Sequence, residues 1–143
     1  MYKKALIALD GSAPSFRAVE AAIKMTGSIG EISLIYVVNL PHVNAPADGQ
    51  IMDFFPPQYY KELTKTAQEV LDKAEQMLAP YHKTTKIIES GPPAETILHI
   101  AEKDHYDLII MGSRGLNSIQ KLFLGSVSNK VLSLAQPAVL LVK

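Results

Sequence analysis

Apolar residues fall along the chain in two kinds of cluster. Short runs stand at ALIAL (5–9), ISLIYVV (32–38), TKIIES (85–90), DLIIM (107–111) and AVLLVK (138–143). Their length suits β-strands. All but the third are nearly continuous in apolar residues, as parallel strands covered on both faces are. Between them lie segments with helical spacing. PSFRAVEAAIKM sets Phe16, Val19, Ala22 and Ile23 on one face, with Ser12 or Ser15 as a cap and Gly27 as a stop. YYKELTKTAQEVLDKAEQMLAP does the same with Leu63, Ala67, Val70, Leu71, Ala74 and Leu78, and Pro80 marks its exit. GPPAETILHIAEK aligns Ala94, Ile97, Leu98 and Ala101 behind two prolines suited to a first helical turn. SVSNKVLSLA presents Val127, Val131, Leu134 and Ala135. The order β-α-β-α-β-α-β-α-β predicts the α/β class: a parallel sheet between two helix layers, joined by right-handed crossovers.

Composition narrows the function classes. With 143 residues the chain fits one domain, residues 1–143, and can bury a core. Its formal net charge is zero with no basic block, which argues against nucleic acid as a partner. It has no cysteine, which removes disulfides, thiol nucleophiles and cysteine–metal sites. The opening MYKKALIALDGS meets Asp10 too soon for a secretory leader, and no run approaches a membrane span. A cytoplasmic protein is the expectation. One segment is too long for a compact connection: NLPHVNAPADGQIMDFFPP (39–57), with four prolines and the apolar Ile51, Met52, Phe54 and Phe55. It reads equally as a flexible surface loop, a lid or a partner-binding flap.

In open parallel sheets ligands bind beyond the carboxyl ends of the strands, where chain order reverses. The fourth run empties there into Gly112-Ser113-Arg114-Gly115, and Gly125-Ser126 opens the last helix. Glycine lets backbone N–H groups approach a bulky anion, and a helix N-terminus offers unpaired N–H donors. Ser113, Ser126 and Ser128 add hydroxyls, Arg114 a cation, and Lys121 a possible second one. As isolated turn residues these glycines need no ligand. Together, at the correct end of a buried strand, they form a candidate phosphate cradle. There is neither G-x-x-x-x-G-K-[ST] nor G-x-G-x-x-G, which argues against a P-loop NTPase and against NAD binding.

Gly112-x2-Gly115-x9-Gly125-Ser126 resembles the ATP-binding pattern G-x2-G-x9-G-[ST] of the universal stress proteins. ALIALDGS, LIYVV, GPPAETIL, DLIIMGSRG and QPAVLLVK resemble successive segments of that family, so the likeness spans the chain. It implies a five-stranded sheet of order 3-2-1-4-5, an adenine-nucleotide α-hydrolase-like three-layer sandwich. It also implies a homodimer joined through the last strand, 138–143. The ligand it implies is ATP, or ADP or AMP, with Mg²⁺. Carried over by position, Asp10 and Val37 hold the adenosine end, with Ala8 standing where some members have proline. Met111, Gly112, Arg114 and Gly115 wrap ribose and phosphates, and Gly125, Ser126 and Val127 complete the cradle.

Individual residues carry two readings each. Asp10 is either a turn residue before Gly11-Ser12 or a ligand to adenosine or to phosphate-borne Mg²⁺, and the glycine pattern favours the second. Val37 is core unless its backbone meets adenine. His42, His82, His99 and His105 are scattered without metal spacing, and no Ser–His–Asp set can be assembled. The expectation is a nucleotide-holding regulatory or stress-response protein with at most slow hydrolysis. Its rivals are a nucleotide hydrolase or transferase with residues 39–57 as lid, and an interaction module with a structural glycine loop.

Overall fold

The computed structural model describes residues 1–39, 56–114 and 124–143. Most of the 39–57 segment, together with Gly115 and Lys121, lies outside the described residues. The strands are β1 (Tyr2–Leu9), β2 (Ile29–Val38), β3 (Thr84–Ser90), β4 (Leu108–Gly112) and β5 (Ala138–Val142). The helices are α1 (Ala13–Lys24), α2 (Pro57–Leu78), α3 (Pro93–Lys103) and α4 (Ser126–Leu134), and they alternate with the strands as the apolar pattern predicts.

All strand pairs are parallel, in the order β3-β2-β1-β4-β5. From β1 the chain steps outward to β2 and β3, then returns past β1 to β4 and β5. Right-handed crossovers running in opposite directions put their helices on opposite faces. Ala5, Ile7 and Leu9 accordingly join α1 and α2 in one core, while Leu6 and Ala8 join α3 and α4 in the other. This explains the unbroken apolar run 5–9: alternate residues face different helix layers and all five are buried.

Local chemistry fixes the element ends. Ser12 caps α1 by accepting from Ser15 N at 3.2 Å, which resolves the choice between the two serines. Ala67, Leu71, Ala74 and Leu78 form the buried stripe of α2, and Ile100 joins the expected stripe of α3. The sequence period misplaces Leu134. Val131 is fully buried, but Leu134, at the last residue of α4, is 61 % exposed. β5 is also less buried than its apolar run implies, because it is an edge strand.

Asp107 pins the amino ends of β1 and β4. Its carboxylate accepts from the backbone N–H groups of Lys3 and Lys4 at 2.8 and 2.9 Å, and its own N–H donates to Lys4 O at 3.0 Å. The Lys3 N–H, then the Lys4 N–H, hold this carboxyl below the usual carboxylate value. A depressed folded value means the contribution is present above the unfolded value of about 3.9 and is lost as pH falls through the lower folded one. Asp107→Asn is therefore expected to lower stability at neutral pH and to flatten the acid loss below about pH 4. Urea unfolding at pH 7 and at pH 3 checks both effects.

Candidate functional site

The switch point of this topology lies between β1 and β4, since the chain leaves β1 in one direction and returns to β4 on its other side. The two strands are in register there, Ala8 opposite Met111. Asp10 and Gly112–Ser113 therefore emerge side by side at the carboxyl ends. Ala8 and Met111 are buried in the α3–α4 core, with Val37 and Val127 packed against it from β2 and α4. Four residues far apart in sequence thus share one apolar layer beneath this end of the sheet.

Asp10 makes the turn that starts α1. Its Oδ1 accepts from Ser12 N at 2.9 Å, and Gly11 between them takes φ +85°, a left-handed conformation that suits glycine. Asp10 Oδ2 makes no hydrogen bond among the described residues. Neighbouring Tyr36, opposite Leu9 in the sheet, has its phenol pushed up chiefly by burial and secondarily by the Asp10 charge. Sequence reasoning missed this tyrosine, since an aromatic in a strand gives no sign of a carboxylate beside it.

The glycines divide by role. A Cβ on Gly112 would lie 2.8 Å from both Pro14 C and Pro14 Cβ, so this glycine lets the first turn of α1 approach β4. Pro14 is the second residue that sequence reasoning missed, its only signal being the missing side chain it faces. A Cβ on Gly125 would meet Arg114 Cα at 3.3 Å and Ser113 O and Ser128 Oγ at 3.5 Å, close but not blocked. Gly125 N donates to Ser113 O at 2.8 Å, which ties the start of α4 to the end of β4.

Gly125 is also the N-cap of α4, where no side chain of the described residues caps the helix. Among the described residues, the N–H groups of its first turn, from Ser126 to Ser128, therefore lack the partner that Ser12 supplies to α1. Ser126 is exposed at this turn. Ser128 differs from the expectation of a free hydroxyl. It is 2 % exposed, and its Oγ lies 2.7 Å from Ser113 O and 3.0 Å from Gly125 O. It holds the cradle together and does not face outward. Ser113 is buried, with its N–H donated to Val142 O at 2.8 Å. Arg114 is half-buried and makes no ion pair among the described residues. At the same end, Lys130 of α4 pairs with Glu95 in the first turn of α3.

The model of the universal stress protein family matches residues 1–143. The chain belongs to the universal stress protein family. Universal stress protein MJ0531 of Methanocaldococcus jannaschii is 36% identical over 148 residues, covering all of this chain and 83% of its own length. The solved structure of MJ0577 from the same organism superimposes with a TM-score of 0.83 at 30% identity, covering 100% of this chain and 96% of that one. A universal stress protein family member from Arabidopsis thaliana, solved with AMP bound, has a TM-score of 0.67 at 17% identity and covers 99% of this chain and 91% of that one. The fold and the family are thus those that the sequence resemblance implies. Among the described residues no helix is long and apolar enough to cross a membrane.

Proposed function

We propose that this universal stress protein holds an adenine nucleotide, with ATP as the preferred ligand, at the carboxyl ends of β1 and β4. The observation that carries the reading is the N-terminus of α4, uncapped among the described residues and set on Gly125 beside the switch point. Its free N–H groups and positive dipole end suit phosphate oxygens. Arg114 supplies a cation and Ser126 an exposed hydroxyl. The small Ala8, with Met111 and Val37, offers an apolar seat for the adenosine end, and the AMP complex of the Arabidopsis relative supports that ligand class.

Asp10 has one carboxylate oxygen that is free among the described residues, for a ribose hydroxyl or for Mg²⁺ carried by the phosphates. The described residues contain no cluster of three metal-ligating side chains, so a Mg²⁺ ion here would take most of its oxygens from phosphate and water. Fast phosphoryl transfer needs a positioned base and strong charge stabilisation. Arg114 is a single cation with no base placed beside it among the described residues, so the functional output is nucleotide occupancy and hydrolysis is at most slow.

The reading includes a homodimer through β5. The two sheet edges differ in a way that supports it. β3 carries Thr84, Thr85, Lys86 and Glu89, and Lys86 bonds Asp72 at 2.8 Å and Glu75 at 3.0 Å. β5 is AVLLV without a charge. Charged edge strands resist strand pairing, and bare apolar ones invite it.

Calorimetric titration with ATP in the presence of Mg²⁺ tests the binding claim. Saturable one-site binding is the expected result, and no heat of binding for ATP, ADP or AMP would remove it.

A further inference from the structure

The first turns of α3 and α4 meet at the nucleotide end of the sheet, on the face that covers Leu6, Ala8 and Met111. An ion pair joins them, Lys130 Nζ of α4 to Glu95 Oε1 of α3. The two side chains are 46 % and 51 % exposed. An exposed pair of this kind adds little to stability, because water screens it and two long side chains must be held still. Exchanging its partner therefore costs little as well.

The pair's position matters for phosphate. Lys130 stands four residues after Ser126, so the two share one face of α4. Helical side chains lean toward the amino end of their helix, which carries the Lys130 stem back toward the turn that Gly125 opens. The positive end of the helix dipole disfavours a cation there. The first turn of α4 holds no acidic residue to balance it. Arg114 adds a second positive charge beside Gly125, its Cα 3.3 Å from where a Gly125 Cβ would stand. The anion that balances Lys130 comes instead from the neighbouring helix.

The two partners differ in what they keep when separated. Glu95 lies in the first turn of α3, where the helix dipole favours a carboxylate and no side chain of the described residues caps the N-terminus. It stays stabilised without Lys130. Lys130, set toward the positive end of α4, needs an anion in either case. While Glu95 holds it, the pair brings no net charge to the site. A phosphate chain at the α4 N-terminus offers a second anion, and a longer chain offers more of it.

We propose that Lys130 is a specificity-determining residue of the nucleotide site: it leaves Glu95 for the outer phosphates and so favours ATP over AMP, while Glu95 competes for it. The inference rests on the nucleotide reading above. Calorimetric titration with ATP and with AMP, each with Mg²⁺, tests it on the wild type, Lys130→Met, Lys130→Arg and Glu95→Gln. Lys130→Met should weaken ATP about tenfold and AMP by less than about twofold. Lys130→Arg should retain the preference for ATP. Glu95→Gln should tighten ATP about threefold, since the competing carboxylate is gone. A merely structural pair would move both variants in one direction and both nucleotides alike. The ratio of the two affinities within one variant also cancels any loss of folded protein. An unchanged ratio in Lys130→Met, or weaker ATP binding in Glu95→Gln, would overturn the proposal and leave the nucleotide reading standing. If the wild type binds neither nucleotide, both fall.

Discussion

Gly112→Ala is expected to destabilise the protein by about 2 kcal/mol, whether or not nucleotide is present. The added methyl would sit 2.8 Å from the carbonyl carbon and Cβ of Pro14, inside contact distance of a backbone that cannot swing aside as a flexible side chain does. Pro14 is fixed in the first turn of α1, and that turn is tied down by the Ser12 cap and by Phe16 N donating to Ser12 O at 3.2 Å. Relief would require α1 to move away from β4 and open the core formed by Ala18, Val19 and Ile110. Urea unfolding measures the effect. A loss under about 0.5 kcal/mol would show that α1 is not seated against β4 as described.

Gly125→Val is expected to shift the balance: less to the fold than Gly112→Ala and much more to the ligand. The nearest atom to the added Cβ is Arg114 Cα at 3.3 Å, a backbone contact that must give by a few tenths of an ångström, against the 2.8 Å clash at Gly112. Replacing an N-cap glycine by valine should cost about 1 kcal/mol of stability, the ordinary penalty for a poor cap. The isopropyl group would cover the uncapped N–H groups of α4. Loss of two charge-assisted hydrogen bonds to phosphate, at about 1.5 kcal/mol each, corresponds to roughly 100-fold weaker ATP binding. Calorimetry beside a thermal melt separates the two effects. Wild-type ATP affinity in Gly125→Val would place the phosphates elsewhere.

These variants divide what the sequence presents as one glycine cluster. The pattern from Gly112 to Ser126 starts at the carboxyl end of β4, because its position after an apolar run follows from strand burial. It cannot distinguish a glycine needed by Pro14, 98 positions away, from one that opens a helix start. Ser128 shows the same limit. Its hydroxyl looks available in sequence and is spent on Ser113 O and Gly125 O in the fold. Strand and helix identity was legible because both faces of the sheet are covered, leaving unbroken apolar runs in the strands and stripes in the helices. The end of α4 was not, since Leu134 keeps the helical period of Val127 and Val131 and is nevertheless exposed. Tyr36 next to Asp10 arises from strand register, which no local pattern encodes.

An adenine nucleotide held at the carboxyl ends of β1 and β4 should be visible residue by residue. Amide spectra of the ¹⁵N-labelled protein, recorded across an ATP titration with Mg²⁺, test it most directly. Saturable shifts should gather at Asp10, at Gly112 to Arg114 and at Gly125 to Ser128. Shifts gathered instead at the Glu102–His105 end, or no saturable shifts at all, would contradict it.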